Sequence, residues 1–355
     1  MLGLGIWNST MPTPKIEYVL APMYSIYSGE PVGQGSVGLN FYPDNGLFDR
    51  IRISESAARY TYDEFYINAL FDQAQYKPQY LKLESKIEAD LHPKSMRSKL
   101  TQRLSARSIF IQEDDLYFLY DINGDITGTA SASRMEYELG YHLAYDRTFF
   151  PQKVDALLTA GEGFTKLSAT YHTTIHYPGM KKGMNVRLFG GAFLQDGGDE
   201  NQSFTLAGNN GYYDATYDDV FLGRNESSGF LSTQMTATDG FFKVPVYNYA
   251  FTSRSYMGAA NFELTIPKVP LVSLFADAGY FGLRESVTGI SGFQYDAGLK
   301  IGLPLDIFSL YLPFVMSSDL ADQFADDASY GEKMSFQLSI NALNVFEMMR
   351  KLAVE

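Results

Sequence analysis

Few residues in this 355-residue chain are of types that do chemistry, because it has only 4 histidines and no cysteine. Disulfides, thiol catalysis and thiolate metal sites are therefore excluded. His172 and His176 lie four positions apart, on the same face if the segment is a strand. A strand separates those rings by about 13 Å, too far to share one ion. We interpret both histidines as polar strand residues, and we predict no metal site and no cofactor.

His142 is the one histidine at a plausible depth for Ser–His or Asp–His catalysis. Such catalysis needs a nucleophile or a pair of acids placed beside the histidine. No signature of that kind surrounds His142 in the sequence. We therefore predict that the chain is not an enzyme and assign no catalytic residue.

Charged residues at every second position form the most informative cluster. Its members are Lys82, Glu84, Lys86, Glu88 and Asp90, followed by Arg103 and Arg107, and then by Arg134, Glu136 and Glu138. Apolar residues such as Leu81, Leu83 and Ile87 occupy the positions between them, which is the period of a two-faced strand. If this charged face were turned toward lipid, each charge would destabilise the fold by about 2–4 kcal/mol near the bilayer midplane. The cluster is therefore predicted to face the interior of a barrel, where opposite charges pair between strands.

The mixed signs of this cluster fit two interpretations. They define either a polar pore or a charge-compensated interior that stabilises the barrel. Selective channels more often show rings dominated by one sign, so we favour the compensated interior.

The elements that carry these residues are long alternating segments joined by two kinds of connection. Short connections rich in turn residues include 42–46, 92–95, 150–153, 178–183, 267–270 and 304–306, and longer acidic or aromatic connections cover 59–78, 112–130, 195–253 and 317–333. Tight turns on one rim and long loops on the other are typical of outer-membrane barrels. We predict an all-β, transmembrane antiparallel β-barrel of about 14 strands, with 12 or 16 as alternatives.

This prediction divides the chain into three parts. They are a lead-in at 1–14, the barrel at 15–346 with a long extracellular loop at 195–253, and a short amphipathic tail at 347–355. A loop of that length is unlikely to be featureless, and it either folds back as a plug or stands above the membrane as a docking surface. Its candidate docking residues are Tyr217, Asp218, Asp219, Phe221 and Arg224.

The composition supports a barrel and limits the partners. No apolar run reaches the roughly 18 residues of a transmembrane helix, whereas 26 Tyr and 26 Phe suit aromatic girdles. A net charge of −13 argues against nucleic acid. Acidic loops at 113–115, 214–219 and 319–327 offer oxygen ligands for calcium or magnesium, held between loops or against lipopolysaccharide phosphates. None has the spacing of an EF-hand, so we favour solvated loop charge. Because residues 1–10 lack a basic leader region, we expect a mature or excerpted form of an exported protein.

Several stretches resemble one family. They are Lys15–Tyr24 with Tyr42–Phe48, Tyr177–Gly183 with Val186–Gly190, and Asp218–Arg224. The chain is similar here to the carboxy-terminal barrel of large Bacteroidota proteins of the gluzincin (aminopeptidase-N-like) metallopeptidase class. The resemblance implies an integral barrel in a Gram-negative outer membrane and participation in an envelope assembly. The family's zinc chemistry has no counterpart, because no His-Glu-x-x-His motif occurs in this chain.

Three functional hypotheses follow. The first is a membrane anchor or scaffold subunit that contacts outer-membrane lipid, lipopolysaccharide and other envelope proteins. The second is a passive or substrate-specific pore. The third is the barrel part of a membrane-tethered zinc metallopeptidase whose catalytic domain lies outside this sequence.

Overall fold

The fold is known from a computed structural model that describes most of the chain. The described residues are 2–8, 14–44, 46–63, 65–68, 73–93, 95, 97–120, 126–179, 182–197, 202–224, 226, 228–246, 249–269, 271–284, 287–303, 307–325 and 328–339. The tail predicted at 347–355 lies outside them. The chain divides into a first unit, Met1–Leu143 with Leu157–Gly163, and a second unit, Ala144–Ala156 with Phe164–Glu355.

The first unit is built from antiparallel strands and one small hairpin. Its strands are β1 (Leu2–Gly3), β2 (Ile6–Trp7), β3 (Ile16–Ser25), β4 (Glu30–Phe41), β5 (Phe48–Thr61), β6 (Phe65–Asn68), β7 (Gln73–Tyr76), β8 (Gln79–Leu91), β9 (Leu100–Tyr120) and β10 (Ile126–Tyr145, ending in the second unit). Their order is β1-β3-β4-β5-β8-β9-β10, β2 also pairs with β3, and β6 with β7 forms a separate hairpin. The predicted lead-in thus supplies two short strands against β3.

The second unit repeats the antiparallel pattern around one long insertion. Its strands are β12 (Phe164–His176), β13 (Gly183–Gln195), β14 (Phe204–Thr205), β15 (Thr252–Ser253), β16 (Tyr256–Thr265), β17 (Val272–Phe281), β18 (Phe293–Gly302), β19 (Phe308–Met316) and β20 (Ser335–Leu338), with helices α1 (Ser318–Ala321) and α2 (Tyr330–Lys333). The order is β12-β13-β16-β17-β18-β19-β20, and β14 pairs with β15 alone. Strand β11 (Gln152–Gly161) contributes residues to both units.

Burial along the strands is the inverse of that in a water-soluble sheet. In β8, Ile87 is 50% exposed whereas Glu88 is 9% exposed, and in β10 Leu139 is 58% exposed whereas Glu138 is 8% exposed. In the second unit Tyr256 and Leu264 are exposed and Asn261 is buried. A sheet gains from exposing aliphatic side chains and burying charges only when its exposed face meets lipid. The predicted fold class, a transmembrane β-barrel, is therefore confirmed, and an integral outer-membrane location follows for a barrel of this type.

The predicted strand number agrees with the sheet. Within the described residues the sheet holds 16 strands, of which β1 and β2 are two residues long, leaving 14 longer ones. Two predicted loops need correction. Much of 112–130 is strand, because β9 and β10 continue far beyond the roughly ten residues that cross a bilayer, and 59–78 contains the β6–β7 hairpin.

Among the described residues, no helix is long and apolar enough to cross a membrane.

Candidate functional site

The predicted charge cluster forms ion pairs along the polar face of the first unit. Asp90 accepts from Arg50 Nε at 2.9 Å and from Arg103 Nε at 2.6 Å. Glu88 lies 3.3 Å from Arg103 Nη1 and 3.2 Å from Arg52 Nη1. Because β5, β8 and β9 are adjacent and in register at these positions, each carboxylate is held between two strands.

The network continues toward the long-connection side of the same strands. Arg107 Nη1 lies 3.3 Å from Glu84 Oε2, and its Nε donates to Glu138. Arg134 makes a bidentate pair with Glu113, with both N···O distances 2.8 Å. Bidentate arginine–carboxylate pairs fix geometry as well as charge, so the side chains stabilise the polar face themselves.

His142 contacts a hydroxyl on this face. Ser105 Oγ lies 3.2 Å from His142 Nε2. Acyl-transfer chemistry also needs an oriented base and a site for the developing oxyanion. The contact by itself is a hydrogen bond between neighbouring strands, and we build no catalytic role on it.

In the second unit the polar face is covered by the segment between β13 and β16, residues 196–255, which we call the inserted segment. Its residues Phe204, Leu206, Ala207, Met235, Phe241, Phe242, Val246 and Phe251 form one buried cluster with Phe189, Met257, Ala259, Phe275, Phe281 and Tyr311 of the strands. Its ends are joined where β14 pairs with β15. Of the two alternatives for this loop, the described residues therefore show it folded back against the strands.

Two strand glycines admit the inserted rings. A Cβ at Gly191 would lie 2.6 Å from Cζ of Phe204, and one at Gly279 would lie 2.9 Å from Cε2 of Phe242. Real Cβ atoms do not approach a ring so closely. The absence of a side chain at both positions lets the segment sit directly on the backbone of the sheet.

A fully buried lysine fixes the centre of the inserted segment. Lys243 Nζ lies 3.2 Å from Asp277 Oδ2 and donates to the carbonyl of Phe241 at 2.7 Å. The backbone N–H groups of Lys243 and Val244 donate to Asp296 Oδ2 at 2.9 and 3.0 Å. Asp277 and Asp296 are register partners on β17 and β18. We call Lys243, Asp277 and Asp296 the buried node.

Arg187 and Asn261 extend this attachment. Asn261 Nδ2 donates to the carbonyl of Gly240 and to Asp277 Oδ1, both at 2.9 Å. Its Oδ1 accepts from Arg187 Nη1 at 2.9 Å, and the same nitrogen donates to the carbonyl of Asp239 at 2.7 Å. The strands thus hold the segment through its backbone groups, which would otherwise be buried without partners.

The predicted docking residues surround Arg224. Its guanidinium donates to the Asp214 carboxylate at 2.7 Å and to the carbonyl of Asp219 at 2.6 Å. The rings of Tyr217 and Phe221 lie 5.0 and 5.1 Å from its Cζ. These side chains hold the fold of the segment, whereas Asp218 is exposed.

Two carboxyls of the inserted segment have altered pKa values. Burial, together with the nearby Asp214 carboxylate, raises the pKa of Asp219 to about 6. Burial also raises the pKa of Asp239, whose Oδ2 accepts from the Thr205 N–H at 3.0 Å. Both groups therefore prefer the protonated form more strongly than a solvated aspartate.

A polar cavity of about 610 Å³ lies in the second unit, with Phe241 of the inserted segment among its lining. Its charged lining residues are Lys153, Asp155, Arg187, Glu263 and Lys300, with His172 beside them. Lys300 Nζ lies 3.0 Å from Glu263 Oε2. His172 is the register partner of Arg187, so one of the two predicted lumen histidines lines this cavity.

Sequence reasoning missed Lys243, Arg187 and Asn261 as a group. Lys243 is a single lysine in an aromatic loop, and nothing local marks it as buried. The signal that was present lies in the strands, where Phe189 and Phe275 occupy positions of the polar parity. Apolar residues on an inward face predict that another part of the chain covers them.

The described residues contain no group of three or more His, Asp or Glu side chains placed to hold a metal ion.

Comparisons with known proteins add little beyond the fold. No family model and no curated protein matches the chain. Similar solved structures include CdiB from Acinetobacter baumannii (12% identity, TM-score 0.43, covering 89% of this chain and 53% of that one) and CdiB from Escherichia coli (10%, 0.45, 94% and 61%). BamA from Haemophilus ducreyi lacking POTRA domains 1–3 has 12% identity and a TM-score of 0.42, covering 94% of this chain and 68% of that one.

This chain thus spans less than two thirds of the two CdiB chains. TM-scores below 0.5 carry no argument about activity, so the fold class rests on the sheet and its burial pattern. None of these matches bears specifically on the gluzincin resemblance.

Proposed function

We propose that this outer-membrane barrel is an anchor or scaffold subunit of an envelope protein assembly. The observation that carries the proposal is the inserted segment, which covers the polar face of the second unit and is attached there by the buried node. An open channel needs a wet, unobstructed polar face. A segment held on this face by buried charges and by a cluster of aromatic rings therefore favours the scaffold over the pore.

The charges of the first unit support the same proposal. Its arginines form ion pairs with its carboxylates, as Arg103 does with Asp90 and Arg134 with Glu113. Charges that satisfy one another offer little selectivity to a passing solute, whereas they stabilise the wall that carries them.

Planar-bilayer recording of the purified full chain tests this role. We expect no stable open conductance from the wild-type protein. Lys243→Met should add brief, irregular openings, because it leaves Asp277 without its cation and loosens the segment. Arg254→Gln is the matched control, since it removes another paired cation of the second unit, 2.6 Å from Asp196, outside the buried node. A stable wild-type conductance would overturn the scaffold in favour of the pore.

The pore remains a second candidate because of the cavity of about 610 Å³. A passive pore would conduct in the wild type and would discriminate by charge at this cavity. Lys153→Gln would then change the ion selectivity, measured as the reversal potential in asymmetric salt.

For docking, the exposed apolar side chains next to the Arg224 centre are the candidates. Tyr212, Val220 and Leu222 are 67%, 59% and 58% exposed. Because these apolar side chains lie on an acidic loop, the partner that fits them is an envelope protein whose own interface has an apolar centre and a basic rim. Of the predicted docking residues, Asp218 is exposed and belongs to this proposed surface, whereas Tyr217, Asp219, Phe221 and Arg224 support it from within the segment. Outer-membrane lipid and lipopolysaccharide stay its predicted surroundings.

Crosslinking in native outer membrane tests the docking surface. We expect Val220→Ser with Leu222→Ser to abolish the crosslinked partner bands seen with the wild type. Tyr249→Ser is the matched control: it removes another exposed aromatic ring of the same segment, outside the proposed docking group, and should leave those bands unchanged. Equal crosslinking in all three proteins would contradict docking at this surface.

The relation to membrane-tethered metallopeptidases is a separate proposal that follows from the sequence resemblance alone. It requires a zinc domain encoded in the same reading frame. Sequencing upstream of this region decides it, since a frame without His-Glu-x-x-His would end the hypothesis.

A further inference from the structure

Arg187 carries a buried charge for which the described residues provide no ion pair. Arg187 is 5% exposed, and its Nε has no hydrogen-bond partner among the described residues. Its two hydrogen bonds in this part of the chain both come from Nη1 and end on neutral oxygens, the Asp239 carbonyl and the Asn261 amide. Within the described residues no carboxylate lies at ion-pair distance from it.

The nearest carboxylates already have other partners. Asp277 pairs with Lys243 at 3.2 Å. Asp239 accepts hydrogen bonds from Thr205, and burial raises its pKa, which weakens it as a counter-charge. A buried cation without a counter-ion is costly, so Arg187 favours any anion that can come close.

Such an anion has room beside Arg187. The polar cavity of about 610 Å³ is lined by Arg187, His172, Lys153 and Lys300. The carboxylates among its described lining residues are Asp155 and Glu263, and Glu263 is engaged by Lys300 at 3.0 Å. The lining thus carries three formal cations against two carboxylates, and Arg187 is the most deeply buried of the three cations, with Asp239 and Asp277 attracting it from beyond ion-pair distance.

We propose that this cavity binds a small oxyanion, a phosphate or carboxylate group, as the counter-charge of Arg187. His172 and the exposed Lys153 supply further N–H donors at the same cavity. The bound anion sits next to Phe241 of the inserted segment, so its binding also stabilises the attachment of that segment. This site is independent of the scaffold role, because an anchor and a pore can both contain it.

Isothermal titration calorimetry on the purified full chain in detergent tests the site. The probes are inorganic phosphate and succinate, titrated separately at low salt so that the preferred oxyanion is identified. We expect saturable binding of at least one probe at one site per chain. Arg187→Gln should weaken it about tenfold or more, since a charged hydrogen-bonding partner is lost, and Lys153→Gln about two- to threefold.

Two further variants complete the experiment. Arg254→Gln, the matched loss of a cation outside the cavity, should bind as the wild type does. Arg187→Lys keeps the charge and should retain part of the affinity. If Arg187→Gln loses its heat-modifiable mobility on gels, and so is unfolded, Lys153→Gln and Arg187→Lys decide: unchanged affinity in both overturns the site. Failure of the wild type to bind both probes, or equal binding by a folded Arg187→Gln, also overturns it.

Discussion

The two units solve the same physical problem differently. Each has an apolar face that is exposed and a polar face that carries charged and hydrogen-bonding side chains. The first unit pairs side chain with side chain, as in Arg50 and Arg103 on Asp90. The second unit pairs its side chains with the backbone of an inserted segment, as Asp296 does with the N–H groups of Lys243 and Val244.

The difference predicts how each unit responds to damage. In the first unit a carboxylate has several cations, so the loss of one leaves others in place. In the second unit Lys243 is entirely buried, and Asp277 depends on it. A redundant network should tolerate substitution, whereas the buried node should not. Substitutions that reverse this order would break the comparison.

The largest effect is expected at Lys243. Lys243→Met leaves the Asp277 carboxylate buried without its ion-pair partner, although Asn261 still donates to it. Breaking a buried ion pair in this way typically costs about 3–5 kcal/mol. We expect the urea midpoint to fall and limited proteolysis within the inserted segment to become faster. The check is gel mobility without heating across a urea series, together with mapping of the cleavage sites.

A double variant sharpens this prediction. Lys243→Met with Asp277→Asn removes both charges, so most of the lost stability should return. Asp296 keeps its backbone donors in both proteins. If the double variant were as unstable as the single one, lost packing rather than an orphaned charge would explain the effect.

The sequence predicted the first unit better than the second, for a physical reason. The alternation of charged and apolar residues from Lys82 to Asp90 predicts directly which face of the strand the charges lie on, because side chains alternate with a period of two. Arg103 and Arg107 on β9 then follow from the short connection after β8, whereas Arg50 and Arg52 on β5, across a long connection, were not predicted as partners. The path of the inserted segment depends on contacts such as Lys243 with Asp277, separated by 34 residues, and no local pattern specifies them.

Some signals of the insertion were nevertheless in the sequence. Gly191 and Gly279 lie at inward positions where a side chain would meet a ring. Phe189 and Phe275 break the polar parity of their strands. Small and apolar residues together on an inward face indicate that something packs there. They do not indicate which residues of the segment it is.

A middle-sized effect is expected from pH at Asp219. Its pKa is raised to about 6, above the ordinary value of about 3.9, so the folded segment binds this proton more tightly than the unfolded chain. Stability from this group is therefore gained as pH falls through about 6 toward 4, and lost as pH rises through 6. Because the carboxyl is partly exposed and water screens it, we expect about 1–2 kcal/mol, less than a fully buried carboxyl would give.

Comparison with Asp219→Asn isolates this group. The difference in urea midpoint between wild type and variant should change between pH 7.5 and pH 4.5, with the wild type gaining relative to the variant as pH falls. A difference that stays constant with pH would show that Asp219 titrates normally.

The smallest effect is expected at Arg103, in the redundant network of the first unit. Arg103→Gln leaves Asp90 with Arg50 at 2.8 Å, and Glu88 with Arg52 and Lys86, each at 3.2 Å. The Arg103 side chain is 39% exposed, so water screens part of its charge. We expect a loss of about 0.5–1 kcal/mol, measured by the same urea series, with a further decrease when Arg50→Gln is added. A loss from Arg103→Gln alone as large as that from Lys243→Met would mean that neighbouring cations do not substitute for one another, and the two units would then depend on their charges equally.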